Sequence, residues 1–132
     1  MKKELDNQLC REFPNLYRDR NAPMSTTCMC WGFDTMDGWF DIIYRCSAKL
    51  EKMILALPEE ERPHCRAVQV KEKFGGLRLY MSAETDEMSD AIEEAEREAE
   101  ATCEYCGKPG KLREGGWLFT LCDECDKTRP WR

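Results

Sequence analysis

The C-terminal part of the sequence contains two closely spaced pairs of cysteines, Cys103-Glu104-Tyr105-Cys106 and Cys122-Asp123-Glu124-Cys125, with fifteen residues between them. A tight turn through each Cys-x-x-Cys directs both sulfurs toward one point, and two such turns complete a tetrahedral shell of four thiolates. Four sulfur ligands leave no position for water or substrate. The spacing therefore predicts one Zn²⁺ ion with a structural role, whereas a redox Cys-x-x-Cys motif would need only one pair.

The residues between the two pairs are typical of a β-hairpin. Lys111-Leu112-Arg113 and Trp117-Leu118-Phe119-Thr120-Leu121 predict its strands, and Glu114-Gly115-Gly116 predicts its turn. We expect the second pair to open a short final helical turn. Residues 103–132 are thus predicted to form a zinc-ribbon or treble-clef module, which is too small to fold without its metal.

The preceding residues, 1–102, predict one α+β domain in which helices pack on a small antiparallel sheet. Apolar and polar residues alternate on both sides of Gly75-Gly76, so residues 66–82 predict a β-hairpin. We expect five apolar side chains of this hairpin to face a helix: Val68, Val70, Leu77, Leu79 and Met81.

Apolar residues at steps of three and four predict two further helices in this domain. The first covers residues 3–13, and the second runs from Asp37, as its N-cap, to Leu57. Residues 14–37 between them are rich in turn formers and predict a long loop, with one short strand around residues 28–33.

A third helix is predicted over residues 85–102 and is strongly acidic. Residues 84–102 contain nine acidic residues and one basic residue, whereas the whole chain has a net charge of −6. A narrow apolar stripe of Met88, Ile92, Ala95 and Ala99 would hold the helix against the domain. Two interpretations of the charged face remain open: a solvated surface, or a partner-binding surface centred on Glu93, Glu96 and Glu100.

Composition sets limits on the class of protein. The chain has 132 residues, of which 42% are hydrophobic and 35% charged, which is typical of a folded, soluble domain. We find neither an apolar run long enough to span a membrane nor a secretory signal, so we expect a cytoplasmic protein with reduced thiols. The concentration of acid in one segment argues against a chain whose main task is to neutralise phosphates.

Two groups of basic and aromatic residues are candidates for binding acidic partners or nucleic acid. Lys71, Lys73, Arg78 and Tyr80 would lie on the polar face of the hairpin. The second group lies at the C-terminus and comprises Lys127, Arg129, Trp131 and Arg132. An ordinary strand face and a frayed tail would account for the same residues.

A second metal site is conceivable around Cys28 and Cys30, which would share one face of a strand. The remaining ligands would come from Cys10, Cys46, Cys65 and His64. The competing interpretation is a set of buried free thiols that pack as small hydrophobic residues. We find no nucleophile with a base and an orienting group, so we expect no enzymatic activity.

Several stretches together resemble a family of small, mostly uncharacterised proteins of bacteriophages and prophages. The matching stretches are Asp37–Ile43, Val70–Tyr80, Cys103–Arg113 and Gly116–Cys125. The resemblance implies a phage origin and little about activity. Family members often have a cysteine just before the position of Asp37, where this chain has Thr35-Met36, and this difference argues further against a second metal site.

Taken together, these features predict a non-catalytic zinc-binding accessory protein that binds a host macromolecule in the bacterial cytoplasm. A host protein is the expected partner, and antagonism of antiviral defence is the role that the resemblance suggests. Two alternatives remain. One is a nucleic-acid-binding zinc-ribbon protein, and the other is a sponge or enzyme for a small phosphorylated ligand, held in a pocket by Lys71, Lys73 or Arg78.

Overall fold

The computed structural model describes residues 1–129 and confirms an α+β fold. The predicted contacts of Trp131 and Arg132 lie outside the described residues. Within residues 1–129, no helix has both the length and the apolar character needed to cross a membrane. The helices are α1 (Lys3–Glu12), α2 (Phe40–Leu55), α3 (Asp86–Glu100) and α4 (Asp123–Thr128), and the strands are β1 (Phe33–Asp34), β2 (Ala67–Lys73), β3 (Gly76–Met81), β4 (Lys111–Arg113) and β5 (Phe119–Leu121).

The main sheet has the order β1-β2-β3 and is mixed. The β2–β3 hairpin is antiparallel as predicted, with Lys71 opposite Arg78. Strand β1 pairs with β2 in parallel and places Phe33 beside Val70. The predicted antiparallel hairpin is present, but the parallel strand β1 beside it was not predicted, because a strand of two residues is too short to show an alternating pattern.

A register shift between Ala67 and Gln69 changes which side chains of β2 enter the core. Ala67 and Val70 are fully buried, whereas Val68 is only half-buried. A bulge adds one residue to a strand and so reverses the alternation of faces beyond it. The expected position of Val68 in the core was wrong for this reason, whereas Leu77 and Leu79 on β3 are buried as predicted.

Helix α3 packs against β3 and against α2, and the buried side chains of all three belong to one core. The predicted stripe of α3 is buried throughout, and Thr85 caps the helix by accepting a hydrogen bond from the Met88 amide at 3.2 Å. Helix α2 begins later than predicted, because Asp37–Trp39 form a single turn of 3₁₀ helix. Asp37 is not the helix cap; its carboxylate instead accepts from the Lys2 amide at 2.8 Å.

The long loop before α2 is held by buried charges. One carboxylate on α2, Glu51, accepts from the Asn15 amide at 3.2 Å, the Asn15 side chain at 2.8 Å and the Leu16 amide at 2.8 Å. Arg20 pairs with Asp6 of α1 at 3.0 Å. The strand predicted around residues 28–33 is instead a 3₁₀ turn over Met29–Trp31, followed by β1.

Candidate metal centre

The four cysteines of the two pairs come together in space. The sulfurs of Cys103, Cys106, Cys122 and Cys125 all lie within 4.8 Å of one another, and those of Cys106 and Cys122 are 3.6 Å apart. Tetrahedral coordination with metal–sulfur bonds of about 2.3 Å requires sulfurs about 3.8 Å apart. The four side chains therefore have the identity and the spacing to hold one metal ion.

Local backbone geometry explains the convergence of each pair. After the first pair, Gly107 adopts a φ of +83° and donates its amide to the Cys103 carbonyl at 2.9 Å, which closes the turn. The second pair begins α4, where the Cys125 amide donates to the Cys122 sulfur at 3.4 Å. This bond is the main cause that lowers the pKa of the Cys122 thiol to about 7, whereas burial raises the pKa of the Cys125 thiol. A metal bound here requires both as thiolates.

The hairpin that connects the two pairs is shorter than predicted. Strand β4 covers Lys111–Arg113 as expected, but β5 begins at Phe119 and not at Trp117. Gly115 and Gly116 have φ values of +102° and +100° and form the turn. Trp117 follows this turn and is 70% exposed. The predicted final helical turn is present as α4.

The first cysteine pair lies directly against the beginning of α2. Gly38 donates its amide to the Glu104 carbonyl at 2.7 Å, and the Trp39 indole donates to the Thr102 carbonyl at 2.9 Å. A Cβ on Gly38 would lie 2.5 Å from the Glu104 carbonyl oxygen and closer still to that of Cys103. Only glycine therefore permits this approach.

Glu104, between the two cysteines of the first pair, is buried and faces the domain. Its carboxylate accepts from the Met36 amide at 3.1 Å, and its own amide donates to the Thr120 carbonyl at 2.9 Å. Burial raises the pKa of Glu104 to about 7, although the Met36 amide opposes the shift. The role of Glu104 could not be predicted from the sequence, since its burial depends on the docking of the two segments and leaves no local pattern.

A third connection joins the module to the β2–β3 turn. The Thr120 hydroxyl, which is buried, donates to the Gly75 carbonyl at 2.6 Å. The β2–β3 turn therefore lies against strand β5. With the contacts at Gly38 and Glu104, the cysteine module (residues 103–129) meets the rest of the chain at three separate points.

The residues considered for a second metal site are dispersed. Within residues 1–129, no other three Cys, His, Asp or Glu side chains bring ligand atoms as close together as the four cysteines do. Cys46 is buried on α2 and contacts the Ala91 carbonyl at 3.7 Å; burial raises the pKa of its thiol to about 12. Cys28 is exposed and precedes a 3₁₀ turn, so it does not share a strand face with Cys30.

The three glutamates predicted to contact a partner lie on α3. Glu93 and Glu100 are exposed, whereas Glu96 is half-buried. Burial raises the pKa of Glu96, and the nearby charge of Arg78 opposes this shift. The other acidic residues of this helix are in part neutralised from α2, since Glu94 pairs with Lys49 at 3.1 Å and Glu98 with Arg45 at 2.5 Å.

The predicted basic and aromatic face of the hairpin is less uniformly basic than the sequence indicates. Lys71 and Lys73 line a surface cavity of about 590 Å³ that also contains the carboxylates of Asp34 and Glu72. Arg78 lies near Glu96. The face therefore carries both signs of charge. The role of Lys71, Lys73, Arg78 and Tyr80 in binding a partner stays a prediction.

No protein-family profile, curated protein sequence or solved structure matches this chain. The resemblance to phage proteins accordingly stays a prediction, and the assignment of the metal centre rests on its geometry.

Proposed function

We propose that this protein is a non-catalytic, zinc-dependent binding protein whose partner is another protein. The observation that carries the proposal is the closed set of four cysteine sulfurs. Four thiolates in tetrahedral geometry favour Zn²⁺ among common metals and leave no position for a reacting molecule. Zn²⁺ bound there would stabilise the folded cysteine module. The contacts at Gly38, Glu104 and Thr120 would couple this stabilisation to the rest of the fold.

The acidic row on α3, Glu93, Glu96 and Glu100, is the proposed contact surface for a basic partner. Two of these carboxylates are exposed. Lys49 and Arg45 pair with different glutamates of the helix, so they leave the acidic row available. Clustered charge of one sign accelerates association with an oppositely charged protein and selects against like-charged ones.

The resemblance noted in the sequence would make the partner a host protein in the bacterial cytoplasm. Antagonism of antiviral defence is the role that would follow. This part of the proposal is supported by the resemblance alone, and its test is the identity of the captured partner.

The test is capture from bacterial lysate with quantitative mass spectrometry, using the zinc-loaded chain as bait. Glu93→Lys with Glu100→Lys should reduce recovery of the specific partner by about tenfold. Glu59→Lys with Glu60→Lys is the matched control, because both residues are exposed and the change in net charge is identical. Equal recovery by both double variants, or capture of nucleic acid in place of protein, would contradict the proposal.

A further inference from the structure

Two exposed aromatic side chains lie at the adjoining turns of the two hairpins. Phe74 is 72% exposed and Trp117 is 70% exposed. Both line the cavity of about 590 Å³ described above. Large apolar side chains that are exposed next to each other at a concave surface are typical of an interaction site.

Phe74 is exposed at a backbone position that is unfavourable for an aromatic residue. Phe74 has a φ of +53° and Gly75 a φ of +82°, so both central residues of the β2–β3 turn are left-handed. Such turns favour Asn or Gly at the first position, and a phenylalanine there is strained. The ring lies outside the core, and its contact within the turn is with the Lys73 ammonium, 5.7 Å from the ring centroid. An exposed cation–π contact is weak, so a further contact outside the chain would explain an aromatic residue at this position.

The two aromatic residues are carried on a fixed support. The Thr120–Gly75 hydrogen bond of 2.6 Å joins the β2–β3 turn to strand β5. A Cβ on Gly75 would lie 2.7 Å from a methyl group of Leu112 on β4, which shows how closely this turn packs against the β4–β5 hairpin. A site that is ordered before binding loses less entropy when the partner arrives.

The charges of a smaller cavity beside the first one indicate the chemistry of the partner, because the larger cavity carries Lys71 and Lys73 as well as Asp34 and Glu72. Asp34 and Glu72 also line a neighbouring cavity of about 250 Å³, together with the buried Glu104 and the rings of Tyr105 and Phe119. Carboxylates beside aromatic rings bind guanidinium and ammonium groups and repel phosphates. The Met1 ammonium, which donates to the Thr35 carbonyl at 2.5 Å, already places one cation beside these carboxylates.

We propose that this aromatic site, formed by Phe74, Trp117 and the two cavities, binds a segment of a partner protein that presents a basic side chain beside an apolar one. The arginine or lysine enters the smaller cavity beside Asp34 and beside Glu72, whose carboxylate also accepts from the Gly75 amide at 2.7 Å. The apolar residue packs against Phe74 and Trp117. The inference rests on the proposed function only in taking the partner to be a protein, since the acidic row on α3 is a different set of residues.

The experiment uses the zinc-loaded full chain as bait for a displayed library of random peptides, with Phe74→Gly as the counter-selected control. We expect enrichment of peptides that place arginine or lysine next to a large apolar residue. Synthetic versions of these peptides should bind Phe74→Gly or Trp117→Ser about tenfold more weakly than the original protein. The same peptides should bind the Glu93→Lys/Glu100→Lys variant with the affinity of the original protein. The proposal for the acidic row on α3 and the proposal for the aromatic site can therefore fail independently.

Urea unfolding of Phe74→Gly separates binding from folding. Glycine adopts positive φ without strain, so this variant should be at least as stable as the original protein. Loss of stability would make Phe74 a structural residue and overturn the proposal. Absence of basic and apolar peptides among those enriched would also overturn it, as would Phe74-dependent binding of an oligo-dT strand, which would assign the site to nucleic acid.

Discussion

Replacing Gly38 with alanine would place a methyl group where the backbone of the first cysteine pair already lies. The new Cβ would be 2.5 Å from the Glu104 carbonyl oxygen, and this neighbour is main chain, which cannot rotate away as a side chain can. The cysteine module would have to move away from α2. Two hydrogen bonds would be lost with it, from the Gly38 amide to Glu104 (2.7 Å) and from the Trp39 indole to Thr102 (2.9 Å).

The magnitude follows from these contacts. Each hydrogen bond contributes about 1 kcal/mol net, and overpacking of a rigid contact costs about 1–3 kcal/mol. We therefore expect Gly38→Ala to lower the free energy of unfolding by about 3–5 kcal/mol. Gly76→Ala is the matched control, because Gly76 also lacks a positive φ. Its Cβ would lie 3.0 Å from the far end of the Arg78 side chain, which can rotate away, and 3.6 Å from the Lys73 carbonyl oxygen, an ordinary contact distance.

The assay is urea unfolding of both variants with metal bound and after chelation. In the original protein, bound metal should raise the unfolding midpoint of the whole chain, because the module and the domain are joined. In Gly38→Ala this effect should be confined to residues 103–129. An unfolding free energy for Gly38→Ala within about 0.5 kcal/mol of that for Gly76→Ala would refute this account of how the module is attached.

Three further perturbations test other parts of the fold. Chelation of the metal should remove hydrogen-exchange protection from residues 103–125 and leave α2 protected; retained protection in the module would argue against a structural metal. Glu51→Ala should lower the free energy of unfolding, measured with urea, by about 2–4 kcal/mol, since it removes the carboxylate that accepts from both the Asn15 and the Leu16 amides. A decrease below about 1 kcal/mol, the net value of one hydrogen bond, would show that water replaces the carboxylate. Thr85→Ala should lower the free energy of unfolding by about 1 kcal/mol, whereas Thr85→Ser should leave it almost unchanged, because serine keeps the hydroxyl that caps α3. Equal decreases for the two variants in urea unfolding would mean that the hydroxyl does not cap α3.

Those features of the fold that repeat along the chain were predictable. The apolar stripe of α3 and the alternation of β3 depend on periodicity, which is a local property of the sequence. The four cysteines were predictable for a related reason, because ligand spacing within each pair encodes a turn. The site residues on α3 and the hairpin were placed on the correct elements, although the proximity of the Arg78 charge to Glu96 depends on packing and was not predicted.

The contacts that join the cysteine module to the domain could not be read from the sequence. Gly38 resembles an ordinary turn glycine, and its necessity appears only when the Glu104 carbonyl lies against it. The parallel pairing of β1 and the bulge at Ala67 likewise depend on distant partners. The exposure of Phe74 was also hidden, because alternation alone does not report a left-handed turn.

The most direct test of the central claim is X-ray absorption spectroscopy of the protein as purified from cells, with its metal content measured on the same sample. We predict one zinc ion per chain, surrounded by four sulfur atoms at about 2.3 Å, with each single serine variant of Cys103, Cys106, Cys122 and Cys125 losing one sulfur. A shell that includes nitrogen or oxygen in the original protein, or a metal whose environment is unchanged by these variants, would contradict the assignment.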